Sequence, residues 1–142
     1  MANPSSLTLE VATPEGLALE LEAESIEAPS IDGQFGVLPG HVPLLAALRC
    51  GLLQVHQGKE VQVMATGPGF VEVEPDRVLI LTEDFARPES IDPDEVRDEL
   101  SVANERLKAI VSEEEGPEHH ELRRTVGWCE ARLQAHEIAN RI

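Results

Sequence analysis

Apolar and polar side chains alternate through the first half of the chain. Leu7, Leu9 and Val11 are spaced by polar residues, and Leu17, Leu19, Leu21 and Ala23 are interleaved with Glu20, Glu22 and Glu24. A period of two places one set of side chains on each face of an extended backbone, so both runs predict half-buried strands. Pro14-Glu15-Gly16 between them is a hairpin turn. Further strands are predicted at Leu52 to Val55, Val61 to Ala65, Phe70 to Val73 and Val78 to Leu81, with turns at Gln57-Gly58-Lys59 and Pro75-Asp76-Arg77. Short strands with regular turns and no helices between them favour an antiparallel sandwich over a parallel sheet.

Near Arg87-Pro88 the period changes. Asp92 supplies a helix cap, Pro93 a first helical residue and Glu95 a carboxylate three positions after the cap. Val96, Leu100, Ala103, Leu107 and Ile110 then form one apolar stripe, which Glu113 to Pro117 ends. Leu122, Val126, Cys129 and Leu133 repeat the spacing, so a second helix is predicted to run back along the first as an antiparallel hairpin. The fold class is therefore an N-terminal antiparallel β-sandwich over residues 1–88, followed by a C-terminal α-helical hairpin over 89–142.

Composition narrows the class of partner. With 27 acidic and 11 basic side chains, the net charge of −16 opposes nucleic acid and anionic lipid alike. Basic protein partners fit it, and acidity that serves only solubility fits equally well. A hydrophobic share of 42% suffices for a core without metals or disulfides. Cys50 and Cys129 are the only cysteines and imply no disulfide framework. The N-terminal residues lack the pattern of a signal or transit peptide, and no apolar run approaches the roughly 20 residues needed to span a bilayer. The expectation is a cytosolic, unprocessed chain.

No catalytic constellation stands out. There is no nucleophile elbow and no phosphate-binding glycine loop of the Walker type. His41 is read as capping a turn in preference to acting as base or ligand. His119-His120 reads as a solvated helix start, because adjacent helical residues diverge by about 100° and no further ligand completes a metal set. Charge in the helices is segregated. From Glu89 to Pro117 there are ten acidic and three basic residues, whereas from Glu118 to Ile142 four acidic residues are offset by Arg123, Arg124, Arg132 and Arg141. Arg124, Trp128 and Arg132 recur every fourth residue away from the apolar stripe. The single Trp is then either an exposed interface anchor flanked by cations or folded back on the first domain.

Gly33 to Leu48 packs three glycines, two prolines and one histidine around apolar pairs, Val37-Leu38 and Leu44-Leu45, and predicts a buried, sharply turning loop. This run resembles the corresponding loop of the epsilon subunit of F-type ATP synthases. The likeness extends in order through Val11-Ala12-Thr13-Pro14-Glu15-Gly16, Gly51-Leu52-Leu53, Gly67-Pro68-Gly69-Phe70-Val71-Glu72-Val73, Val78-Leu79-Ile80-Leu81-Thr82 and Ile91-Asp92. The resemblance implies a noncatalytic rotor subunit of the central stalk that couples proton-driven rotation to ATP synthesis. Its sandwich would hold the gamma subunit and rest on the ring of c subunits, at the cytoplasmic face of the cell membrane and without membrane insertion. Carried over by position, the ring-facing segment is Asp32 to His41, with contacts at Gln34, Phe35 and His41; the family often has an acidic residue at the position of Gln34. The second helix would meet the alpha and beta subunits of the catalytic head through Arg123, Arg124, Trp128 and Arg132 and inhibit ATP hydrolysis. Some family members bind ATP through an Ile/Leu-Asp-x-x-Arg-Ala motif. Here Glu95 replaces its arginine and Val96 its alanine, so no ATP site is expected. The competing reading from the residues alone is a stand-alone β-sandwich binding module with a helical oligomerisation tail. An enzyme using His41 ranks third.

Overall fold

The computed structural model describes residues 5–110 and 116–141. Ten strands precede two helices: β1 (Leu7–Thr13), β2 (Gly16–Ala23), β3 (Ser25–Ser30), β4 (Gly33–Val37), β5 (Leu44–Leu48), β6 (Gly51–Gln57), β7 (Glu60–Thr66), β8 (Gly69–Val73), β9 (Arg77–Thr82) and β10 (Phe85–Ala86). A single 3-10 turn, Pro88–Ser90, leads to α1 (Pro93–Ala109) and α2 (Pro117–Ala139).

Two layers make the sandwich. Sheet I has the order β10-β7-β6-β3, with β4 on the far side of β3, and sheet II has the order β5-β8-β9-β1-β2. The one pairing that joins them is Ser30 with Leu48, between β3 and β5. Pairing is antiparallel except for β1 with β9, which run parallel with Leu9 beside Val78 and Val11 beside Ile80. Local turns cannot encode that pair, since its strands lie far apart in sequence.

The period-two pattern explains the core. Leu7, Leu9 and Val11 of β1, Leu53 and Val55 of β6, Val71 and Val73 of β8, and Val78 and Ile80 of β9 all point between the sheets and are fully buried or nearly so. Burying a side chain of this size is worth about 1.5–3 kcal/mol, so this layer dominates the stability of the sandwich.

The segment Gly33 to Leu48 corrects an expectation. It is not a buried loop but strand β4, a short connection and strand β5. Val37 and Leu48 are buried, whereas Leu38, Leu44 and Leu45 are exposed, with Leu38 and Leu45 at 65% and 70%. The reason is strand geometry: β4 is an edge strand bonded only to β3, and alternation on β5 turns Leu45 outward. Gly40, at φ +85, lets the connection turn, and its N–H donates to the Pro75 carbonyl at 2.7 Å.

α1 starts as its sequence dictates. Asp92 Oδ1 accepts from the N–H groups of Asp94 and Glu95, and Pro93 occupies the first turn. The predicted stop at Glu113 to Pro117 falls largely on residues 111–115, which lie outside the described residues; Pro117 itself opens α2. α2 lies between α1 and sheet I and shows each a different face. Leu122, Cys129 and Leu133 run along α1, while Gly127, Ala131 and Ala135 approach β6 and β7. A second core of Val63, Ala65, Ile91, Val96, Cys129, Ala131 and Ala135 results, with Leu52 and Trp128 packed against it.

Candidate interaction surfaces

The hairpin covers the outer face of sheet I, and the outer face of sheet II carries no such cover. Strand register places Ala47, Phe70, Leu81, Ala12 and Leu17 side by side, one from each of the five strands. Phe70 and Leu81 are 56% and 48% exposed, and Leu17 is exposed beside them. The next row out, Leu45, Glu72, Leu79, Glu10 and Glu20, adds three carboxylates as a rim. A shallow cleft of about 360 Å³ lined by Ala12, Pro14 and Leu81 continues the apolar row. Single exposed apolar residues need no explanation, but a contiguous row across a whole sheet marks a surface made for a partner.

The three residues expected to form one contact are dispersed. Gln34 lies at the start of β4, where its side-chain amide donates to the Leu52 carbonyl at 3.2 Å, beside Cys50 and α2. Phe35 is half-buried and packs on the sandwich core. His41 lies beyond the other end of β4, with its N–H on the Leu38 carbonyl and its ring Nδ1 2.6 Å from the Val42 carbonyl. That is the turn-capping geometry expected of it. Its exposed neighbours Leu38 and Val42 were not singled out by sequence, because an apolar residue in a turn reads as buried.

The basic residues of α2 are engaged within the chain. Arg124 Nη2 lies 3.1 Å from Glu83 Oε2 and 3.1 Å from Asp84 Oδ2, in the turn between β9 and β10. The hydrogen bond to Glu83, followed by that to Asp84, raises the guanidinium further above its ordinary range against an opposing cost of burial. Arg132 donates to Glu99 of α1 at 2.9 Å and stacks 5.0 Å above the Trp128 ring. Trp128 is half-buried against the second core, so it is neither fully exposed nor fully covered. Arg123 is exposed on the same helix. His119 corrects half of the expectation of a solvated helix start: it is half-buried, and its Nδ1 is shut off from solvent with no hydrogen-bond partner among the described residues, whereas His120 is exposed. Glu95 is exposed on the first turn of α1, where it places a negative charge. No group of metal-binding side chains occurs among the described residues.

Residues 6–88 match the family described as "ATP synthase, Delta/Epsilon chain, beta-sandwich domain". The ATP synthase epsilon chain of Acaryochloris marina is 40% identical over 136 residues, covering 95% of this chain and 99% of its own length. The chain belongs to the ATP synthase epsilon family. The epsilon chain of Synechococcus elongatus is 39% identical over 92% of this chain and 94% of its own. Among solved structures, a chain of the Euglena gracilis mitochondrial ATP synthase, solved as OSCP/F1/c-ring, superposes with a TM-score of 0.79 at 22% identity, covering 95% of this chain and 83% of that one. A chain of the Tetrahymena thermophila mitochondrial central stalk and c-ring gives 0.56 at 16% identity, over 98% of both. These two likenesses speak for the fold, which extends through sandwich and hairpin alike. The epsilon identity accounts for the lack of any catalytic constellation in the sequence.

Proposed function

We propose that this epsilon chain is a noncatalytic rotor subunit of the central stalk of an F-type ATP synthase, coupling c-ring rotation to ATP synthesis. The observation that carries the reading is the uncovered row Ala47-Phe70-Leu81-Ala12-Leu17 on sheet II, opposite the face already taken by the hairpin. We assign that row to the gamma subunit, with the acidic rim favouring a basic border on gamma. The connection carrying Leu38, His41 and Val42 lies at the end of the sandwich near Pro75 and is assigned to the c-ring. Gln34 belongs to the opposite end of β4 and so to a different surface. Attachment through the ring makes the chain peripheral at the cytoplasmic face of the membrane; none of the described helices is long and apolar enough to cross one.

The hairpin supplies the regulatory half of the reading. Arg123, Arg124, Trp128 and Arg132 would meet acidic surfaces of the alpha and beta subunits; with Arg124 paired to Glu83 and Asp84 of the sandwich this requires the hairpin to leave it, and with Arg132 paired to Glu99 of α1 it requires Arg132 to exchange that carboxylate for one of the partner. ATP does not serve as the docking ligand, because Glu95 would repel its phosphates.

Co-expression with gamma tests the assignment. Phe70→Glu and Leu81→Glu should keep the circular dichroism spectrum of the parent, since both sites are exposed, yet reduce gamma recovery about tenfold or more. Full recovery of gamma by the double variant would refute the assigned face.

A further inference from the structure

The seam that holds the hairpin to the sandwich is built largely from small side chains. Gly127, Ala131 and Ala135 of α2 bring little apolar area to sheet I, and Ile138 adds one larger side chain beside Val63 of β7, whereas Leu122 and Leu133 serve the contact with α1. At one edge of this seam lies the fork of Arg124 on Glu83 and Asp84.

Its acceptor is rigid. Asp84 N–H donates to the Thr82 hydroxyl at 3.2 Å, that hydroxyl lies 3.1 Å from the Asp84 carbonyl, and the same carbonyl receives the Gly67 N–H at 2.8 Å. A side chain at Gly67 would stand 2.7 Å from Asp84 Cβ, so the turn is seated closely against Gly67 and holds the Asp84 carboxylate beside Arg124, with the more exposed Glu83 next to it. Cys50, in the turn between β5 and β6, lies under the same stretch of α2. Its Sγ is 3.9 Å from the Arg124 carbonyl, and a Cβ on Gly127 would meet it at 3.5 Å.

We propose that Arg124 with Glu83 and Asp84 is a latch that decides whether the hairpin is docked on the sandwich, and that opening it frees α1 and α2 as an intact pair and uncovers Cys50. A partly exposed ion pair is a modest interaction. It can govern docking here because glycine and alanine make up much of the α2 face that the sandwich holds. The proposal deepens the regulatory reading by naming the contact that holds the closed state, and its test on the isolated chain stands whether or not gamma binds.

The two native thiols report the outcome. Cys50 is covered by α2 from the sandwich side, and Cys129 is buried along α1 next to Arg132. In the full chain, Arg124→Glu should raise the alkylation rate of Cys50 by N-ethylmaleimide about fivefold while leaving Cys129 protected. Charge alone acts the other way, since replacing a cation beside a thiol with an anion disfavours the reactive thiolate, so faster labelling reports exposure. Adding Glu83→Arg to Arg124→Glu should restore slow labelling. Raising salt from about 0.05 to 0.5 M should speed Cys50 labelling in the parent and not in Arg124→Glu, a test that needs no refolded variant. Unchanged Cys50 labelling in both the salt and the variant experiments would overturn the latch. So would equal exposure of Cys129, which means melting of the hairpin, or failure of the reversed pair to restore protection.

Discussion

At the scale of single residues, Gly69 shows how closely two strands can be required to approach. A Cβ there would fall 1.9 Å from the Leu81 carbonyl oxygen on β9, which is backbone and cannot rotate away. Gly69→Ala is therefore expected to cost about 3 kcal/mol, read as a lower urea midpoint at unchanged slope. The thiols give a pH dependence of known sign. Burial, the largest influence on each, pushes both Cys50 and Cys129 above the 9.0 of a free thiol. Unfolded chains then release these protons before folded ones do, so stability is fully present below pH 9.0 and is lost as the pH rises toward the folded values. Urea titrations at rising alkaline pH should show that decline, and Cys129→Ala should make it shallower. A slope identical in parent and variant would contradict the assignment to this thiol.

Elements differ in how plainly their sequences announce them. β1, β2, β6, β8 and β9 were legible because their inward side chains alternate with more exposed ones, and β7, buried on both faces from Val63 to Thr66, was legible as an apolar run bounded by the Gln57-Gly58-Lys59 turn. β3, β4 and β5 were not: Pro29 interrupts β3, glycines weaken β4, and the small or outward-facing residues of β5 break the alternation. The start of α1 was read correctly down to its cap, and Asp92→Ala should cost about 1 kcal/mol in thermal or urea unfolding. In α2 the stripe toward α1 was visible, but the face toward the sandwich was not, because Gly127, Ala131 and Ala135 carry too little apolar surface to register as a pattern. Nor could sequence pair Arg124 with carboxylates 40 and 41 residues away. The smallness of that face is a packing requirement. Ala135 is fully buried, so Ala135→Leu should force α2 from β7 at a cost of about 1–3 kcal/mol and shift the emission of Trp128, the single Trp, to the red. Unshifted emission would mean that the seam tolerates volume.

For the whole molecule, the decisive fact is that the two hydrophobic cores share no residue. The core between the sheets draws its buried members from Leu7 to Ile80, whereas the second core joins Val63 and Ala65 of β7 to Ile91 and the helices. Removing residues 89–142 thus deletes much of the second core and leaves the first intact. The fragment 1–88 should fold by itself, with a dispersed amide spectrum and one cooperative urea transition. It should also be less soluble than the full chain, since Leu52, Val63 and Ala65 become exposed on sheet I while the Phe70-Leu81 row remains exposed on sheet II. Charge cannot compensate fully, because residues 89–142 take 14 acidic and 7 basic side chains with them, −7 of the −16. A collapsed spectrum for the fragment would mean that the hairpin is structural, as much a part of the fold as any strand. A dispersed one would mean that sheet I is a platform on which the helices rest, and only a platform that stands alone permits a hairpin to leave it without unfolding the sandwich.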